Sequence, residues 1–221
     1  MKTEQVELIH ELGREAEKFG EQWGNYFESA LFMHGHICGG MPLGFRAALA
    51  ALKALDTERE LNMGKLVFVE TATGHAAGCF ADGAQLASGC TYGKGLMERT
   101  EFGKWAITLV DKASHKAVRI AVRPEVMQAA FHSPFIELRK QGTPPTEVPA
   151  DVSRALVDNL LNKTDEELFK VSELFEYALP AAPKPTFELI TCNQCGEVVA
   201  ANKIRVKNGE TVCLPCSGYP A

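Results

Sequence analysis

Apolar residues recur at spacings of three and four near the start of the chain, which predicts an amphipathic helix over residues 4–23 with Gly13 and Gly20 as its weak points. A glycine-rich loop at 33–44 follows this helix. The loop runs into a segment rich in alanine and leucine, which predicts a second helix over 45–55. The front of the chain is therefore expected to be a helix, a tight loop and another helix.

Short β-branched runs alternate with turns in the middle of the chain. Residues 65–70 predict a buried strand, and 105–111 and 116–123 predict the two strands of a hairpin. A segment rich in small residues between them predicts a helix over 79–88 that ends at Gly89. These elements indicate an antiparallel sheet combined with helices.

The rest of the main body is predicted to be helical. Asp151 and Thr164 are suitable N-caps, and residues 142–149 form a turn by composition. Helices are expected at 125–140 with a break at Pro134, at 151–162 and at 164–178.

A proline-rich stretch at 179–185 marks the clearest domain boundary. We expect an α+β fold in which residues 1–180 form the main domain, with a core at about 20–140 followed by C-terminal helices. Residues 181–221 then hold a linker and a small four-cysteine zinc ribbon.

Two Cys-x2-Cys pairs near the C-terminus, with 17 residues between them, have the spacing of a four-cysteine zinc site. A domain of about 35 residues cannot bury enough apolar surface alone, so we expect the zinc to be structural. The alternative is a set of four thiols without metal. Strands at 197–200 and 203–206 are expected to pair, and Asn208 and Gly209 to form a turn. The predicted ligands are Cys192, Cys195, Cys213 and Cys216.

A second group of metal-binding residue types lies in the first glycine-rich loop, where His34, His36 and Cys38 occupy alternate positions. On an extended chain this spacing places the three side chains on one side, and two imidazoles with a thiolate suit zinc, or else nickel or iron. A loop at a helix N-terminus is also expected to lower the pKa of Cys38. The alternative is a structural histidine and a cysteine that serves as a small apolar residue.

Further candidates follow the first predicted strand. Cys79, with His75 four residues before it and Asp82 three residues after it, can complete the coordination. Cys90 lies in a glycine-rich segment with Lys94, which also suits an anion-binding loop. The histidines expected to be structural or on the surface are His10, His115 and His132.

Composition excludes several classes of protein. The chain has 28 acidic and 23 basic residues and a formal charge of -5, which argues against a whole-protein electrostatic grip on nucleic acid. No stretch reaches about 18 consecutive apolar residues, so no membrane span is expected. The polar N-terminus lacks the pattern of a secretion signal, so we expect a cytoplasmic location. In that reducing compartment the seven cysteines are better interpreted as metal ligands, reactive thiols or core residues than as disulfides.

Several separated motifs follow one another in a characteristic order. They are His34 to Gly40, Gly44-Phe45-Arg46, Cys79, Asp82, Gln85, Gly89 to Gly95 and Ala117-Val118-Arg119. Over about residues 20–140 the chain resembles the formylmethanofuran dehydrogenase FmdE family, in which a four-cysteine ribbon is a frequent companion. The resemblance implies an α+β domain, commonly a homodimer, with a His/Cys metal site in a cleft for a small molecule. It also implies a molybdenum- or tungsten-pterin oxidoreductase as partner.

The same resemblance assigns roles by position. Lys94 would line the cleft. Two features depart from the family pattern, because Gly39 stands where proline is usual and the longer loop before the second cysteine inserts His75, an additional candidate ligand. The metal ligands that the resemblance implies are His36, Cys38 and Cys79, with His34 close by.

Three functional hypotheses follow. The first is a metal-binding accessory or a cofactor- or metal-handling protein of molybdenum or tungsten enzyme metabolism, with an open His/Cys site and a structural zinc ribbon. The second is a stand-alone metal-dependent enzyme acting on a small molecule, with Cys38, His36 and Lys94 as catalytic residues and Asp82 or His75 as general base. The third is a regulatory module whose ribbon contacts nucleic acid. The small excess of basic over acidic residues in the ribbon argues against this hypothesis.

Overall fold

The structure, a computed structural model, describes residues 3–74, 77–179 and 185–219. The fold divides after Leu179 into two compact units, and each is described by itself. Among the described residues, no helix is both long enough and apolar enough to cross a membrane.

The first unit combines helices with one sheet, which confirms the α+β prediction. Its helices are α1 (Thr3–Ala16), α2 (Glu21–His34), α3 (Gly40–Ala54), α4 (Gly78–Ser88), α5 (Pro124–Phe131), α6 (Pro134–Lys140), α7 (Ala150–Asn162) and α8 (Asp165–Leu168). Its strands are β1 (Lys65–Val69), β2 (Met97–Arg99), β3 (Ala106–Asp111), β4 (Lys116–Val122), β5 (Phe169–Val171) and β6 (Phe175–Glu176).

The strands form one sheet in the order β2-β1-β3-β4-β5, and β6 also pairs with β4. The predicted hairpin of β3 and β4 is confirmed. The sheet is mixed rather than wholly antiparallel, because β1 and β2 run parallel and are joined by a crossover that contains α4. Helix α3 packs against β3 and β4, where Leu109, Val118 and Ile120 are fully buried.

The N-terminal helix differs from the prediction of one element over residues 4–23. It is divided at Gly20, whose φ of 127° lies in a region that side-chain-bearing residues avoid. The chain therefore turns between α1 and α2, and the two helices pack against each other. Helix α2 then continues to His34, the second residue of the segment that was expected to be a loop.

The predicted helix over 164–178 is wrong beyond its first turn. The capping box of Thr164 with Glu167 is present, but α8 ends at Leu168 and the chain continues as β5 and β6. These strands pair with β4, so sheet pairing and the burial of Phe169 outweigh local helix propensity. The predicted N-cap Asp151 lies in the first turn of α7, whose N-cap is Pro149.

A buried arginine fixes α7 against α3. The Arg46 side chain donates hydrogen bonds to the carbonyl oxygens of Leu160 and Lys163, at 2.9 and 3.0 Å, and pairs with Asp165 at 2.8 Å. A cation at the last carbonyls of a helix both satisfies them and opposes the negative end of the helix dipole.

The contact between α3 and α4 is a close backbone approach made by two glycines. A Cβ atom on Gly44 would lie 1.9 Å from the carbonyl oxygen of Phe80, and one on Gly83 would lie 2.0 Å from that of Met41. No side chain larger than hydrogen can occupy these positions without moving a helix. The two helices are consequently held in one fixed spacing.

The second unit consists of two small hairpins and a short helix. Their elements are β7 (Leu189–Thr191), β8 (Val198–Ala200), β9 (Arg205–Lys207), β10 (Glu210–Val212) and α9 (Leu214–Ser217). The predicted pairing of 197–200 with 203–206 is wrong, because β8 pairs with β7 and β9 pairs with β10. The turn at Asn208 and Gly209 is confirmed, with φ of 53° and 83°.

We predict that Gly44→Ala lowers the free energy of unfolding by about 2–3 kcal/mol, because backbone overlap outweighs the roughly 1 kcal/mol by which alanine favours a helix over glycine. Chemical denaturation measures this change. Gly93→Ala is the control, since a Cβ atom there meets nothing within 4 Å. Equal stability of the two variants would contradict the fixed spacing of α3 and α4.

Candidate metal centre and cleft

Three segments of the first unit bring the front metal-binding residues together. His34 is the last residue of α2, and Gly35 caps that helix in the left-handed conformation, with φ of 83°. The short connection to α3 carries His36 and Cys38, and Cys79 lies in the first turn of α4. The expected alternation along one extended chain is thus wrong for His34, which reaches the cluster from a helix terminus.

The four donor atoms form a compact cluster. The Nε2 atom of His34 lies 3.1 Å from Nε2 of His36 and 3.5 Å from Sγ of Cys38. With the Cys79 sulfur included, all four ligand atoms lie within 4.8 Å of one another. The ligand atoms of a tetrahedral zinc site are about 3.3–3.8 Å apart, so this cluster needs little contraction to hold an ion.

Asp82 fixes the orientation of one imidazole. Its Oδ2 atom lies 2.8 Å from Nδ1 of His34, on the side of the ring away from the cluster. The opposite nitrogen, Nε2, therefore faces the other donors, in the arrangement that a carboxylate imposes on metal-binding histidines. Sequence reasoning proposed Asp82 as a ligand or a general base and missed this supporting contact. The signal was its position one helical turn after Cys79.

Contacts within the cluster shift the pKa values of its side chains. Burial disfavours the charged form of His34, but hydrogen bonds with Asp82 and Cys79 outweigh it and raise the pKa of His34 to about 9. The hydrogen bond with Cys38 lowers the pKa of Cys79 to about 2, against the opposing effect of burial and with further hydrogen bonds from His34 and His36. Cys79 is consequently the thiolate of the pair.

The expected lowering of the pKa of Cys38 is wrong. The hydrogen bond with Cys79, together with burial, raises the pKa of Cys38 well above its usual value. The backbone N–H groups of Gly40 and Met41, at the start of α3, act in the predicted direction but are outweighed.

A cleft of about 520 Å³ opens over the cluster. Its lining includes the donors His36, Cys38 and Cys79 but not His34, whose side chain is only 7% exposed. Apolar and aromatic side chains form most of the wall, and two exposed cations complete it. These wall residues include Leu43, Trp105, Phe131, Phe135, Arg139 and Lys140.

The structure places other predicted residues apart from this cleft. Among the residues described, those that line the cleft do not include Lys94, whose Nζ atom lies 3.4 Å from the carbonyl oxygen of Glu60. Cys90 is fully buried, and burial raises its pKa to about 11. His75 lies outside the described residues. The catalytic roles of Cys38, His36 and Lys94 stay predictions.

The second unit holds the other cluster. The four sulfur atoms of Cys192, Cys195, Cys213 and Cys216 lie within 4.8 Å of one another. The backbone N–H of Cys213 donates to the Cys192 sulfur at 3.2 Å. Backbone hydrogen bonds from Cys195 and then Cys213 lower the pKa of Cys192 to about 6, so this thiol favours the anionic form that binds metal.

Both donor sets suit a transition metal rather than a hard cation. Two imidazoles with two sulfurs, or four sulfurs, are tetrahedral ligand sets that zinc prefers, whereas calcium and magnesium prefer oxygen. The described residues therefore form two candidate metal sites of different composition.

Comparison with known proteins points to one family. A family model described as "FmdE, Molybdenum formylmethanofuran dehydrogenase operon" matches residues 33–170, a range that contains the whole front cluster and its cleft. An Archaeoglobus fulgidus protein named "Probable S-adenosyl-L-methionine-binding protein" is 32% identical over 196 residues. That alignment covers 84% of this chain and 50% of the relative, so the chain spans about half the length of that curated relative.

A solved structure shares the fold. It is the crystal structure of a tungsten formylmethanofuran dehydrogenase FmdE-like protein from Syntrophus aciditrophicus, with a TM-score of 0.55 and 21% sequence identity. The match covers 88% of this chain and 91% of the other. At this identity the similarity concerns the architecture alone.

We predict that Asp82→Asn lowers the pKa of His34 in the metal-free protein from about 9 toward its ordinary value of 6.5, because the carboxylate that stabilises the imidazolium is lost. Imidazole resonances followed by NMR against pH measure this change. The same substitution is expected to weaken metal binding about 10- to 100-fold. Asp151→Asn is the control, and an unchanged pKa of His34 would contradict the assignment.

We also predict that metal chelation unfolds the second unit and spares the first. The buried cluster of the second unit is small, with Cys192, Val212 and Cys213 at its centre, so a bound metal must supply most of its folding free energy. Amide resonances resolve the two units separately. Retention of dispersed second-unit resonances after complete metal removal would show that the ribbon does not need metal.

Proposed function

This chain belongs to the FmdE family, and we propose that it is a metal-binding accessory protein that handles a metal or cofactor for a molybdenum- or tungsten-pterin oxidoreductase. The front cluster would hold a transition metal, zinc in the first place and nickel or iron as alternatives. The second unit would hold a structural zinc ion. The expected homodimer and oxidoreductase partner belong to this proposal and rest on the family.

One observation carries the proposal, which is the convergence of two imidazoles and two thiols beside a cleft. The donors come from α2, the connection before α3, and α4, so no single local sequence accounts for their proximity. Four soft or borderline donors face one another in this cluster, and one of its two imidazoles is held in a fixed orientation, as a metal site requires.

The two faces of the cluster suit different tasks. On the inner face, Asp82 holds His34 in one orientation, so that Nε2 stays directed at the other donors. On the outer face, His36, Cys38 and Cys79 line the cleft. A metal held there would supply Lewis acidity to a molecule that reaches it. The residues that line the cleft would bind and orient that molecule against a largely apolar wall.

The second candidate function is a stand-alone metal-dependent enzyme, and the cleft over the donors favours it. S-adenosyl-L-methionine, for which the Archaeoglobus fulgidus relative is named, is a candidate molecule for this cleft. Aromatic walls suit its adenine, whereas Arg139 and Lys140 repel its sulfonium. Turnover of a small molecule by the chain alone would favour the enzyme, and copurification with a pterin-containing oxidoreductase would favour the accessory role.

We predict that the full chain binds two metal ions and that Cys38→Ser retains one. The serine hydroxyl is a poor ligand for a thiophilic ion, so the front site is lost while the four-cysteine site remains. Elemental analysis of the purified proteins, normalised to protein concentration, measures the stoichiometry.

Two further variants show which of the two sites has lost its metal ion. Cys90→Ser removes a buried thiol outside both clusters and is expected to retain two ions. Cys192→Ser is expected to retain the front ion alone. The proposal fails if Cys38→Ser still holds two ions while its circular dichroism spectrum matches that of the parent protein.

A further inference from the structure

We propose that the cleft over the front cluster selects small organic anions with an aromatic or otherwise flat apolar body, and that Arg139 and Lys140 bind the anionic group. This inference rests on the proposed function for the identity of the cleft and names the class of molecule that enters it. It assigns a role to α6, a helix whose chemistry the metal site does not use.

The charge of the cleft wall is the first argument. Arg139 and Lys140 both line the cleft, and within the described part of the chain no aspartate or glutamate does. The anionic group of the lining, the Cys79 thiolate, belongs to the metal cluster. In an apolar groove, two cations of one sign attract anions and repel cations. A molecule that carries a carboxylate or a phosphate therefore gains an interaction that a neutral molecule of equal shape lacks.

The surroundings of the two cations leave one of them available. Arg139 donates a hydrogen bond through Nη1 to the carbonyl oxygen of Thr143, and no described carboxylate forms an ion pair with it. Four of its five N–H donors remain for other partners. Lys140 pairs with Glu137 at 2.7 Å, but both side chains are more than half exposed, at 57% and 53%, so this ion pair is weak.

The aromatic wall of the cleft indicates that the uncharged part of the ligand is flat and apolar. Trp105 makes edge contacts with Phe80 in the core and with Phe131 at the cleft, at ring-centroid distances of 5.6 and 6.4 Å. Phe131 is 38% exposed, so its ring is accessible to a ligand, whereas Phe135 is buried and packed in place. A volume of about 520 Å³ is within the range of small-molecule sites and accommodates a bicyclic ring.

The test uses 2-naphthoate as the probe, with 2-naphthamide as its neutral counterpart and 2-naphthylmethylammonium as its cation. Isothermal titration calorimetry of the full chain is expected to show naphthoate binding about 5- to 10-fold tighter than the amide and the ammonium ion weakest. The double variant Arg139→Gln, Lys140→Gln is expected to bind naphthoate no more tightly than the amide. The double variant Lys112→Gln, Lys170→Gln, which removes the same charge from residues outside the cleft wall, is expected to bind naphthoate like the parent protein.

Cys38→Ser separates this proposal from the metal site. Naphthoate binding that survives in Cys38→Ser supports the anion site whether or not the front metal is confirmed. Binding that disappears in Cys38→Ser but persists in the Arg139 and Lys140 double variant would show that the metal holds the anion, and would overturn the assignment of the two cations. Equal affinity for naphthoate and naphthamide, or a preference for the ammonium ion, would also overturn it.

Discussion

The close approach of α3 and α4 is the contact on which the candidate metal centre depends. Gly44 and Gly83 let the two helices meet backbone to backbone, so their separation is set by main-chain atoms rather than by adaptable side chains. Cys38 lies two residues before α3, and Cys79 lies in the first turn of α4. The packing of the helices therefore sets the distance between the two sulfurs, and Arg46 keeps α7 against α3.

Local signals in the sequence were sufficient where the chemistry is local. The spacing of two cysteine pairs predicted the four-cysteine cluster because each pair sits on one tight turn. The capping box at Thr164 and the turn at Asn208 were likewise predicted from a few adjacent residues. The residue types of the front cluster were also evident, and His34, His36, Cys38 and Cys79 do converge.

Contacts between residues that are distant along the chain could not be predicted from the sequence. The segment after Leu168 has a good helix start but forms strands, because the open side of β4 offers hydrogen bonds that no local pattern records. The lower pKa was assigned to Cys38 from the helix N-terminus alone, whereas hydrogen bonding between the two thiols assigns it to Cys79. Asp82 was proposed as a ligand or a general base, whereas its contact with Nδ1 of His34 depends on the packing of α2 against α4.

The position of Trp105 has a practical consequence. It is one of two tryptophans in the chain, and the other, Trp23, packs beside Tyr26 and Phe45 among the helices. Trp105 lines the cleft, where a bound ligand can contact it. The Trp23→Phe protein would thus carry a single tryptophan, at the cleft, so selectively excited tryptophan emission would report occupancy without an external label.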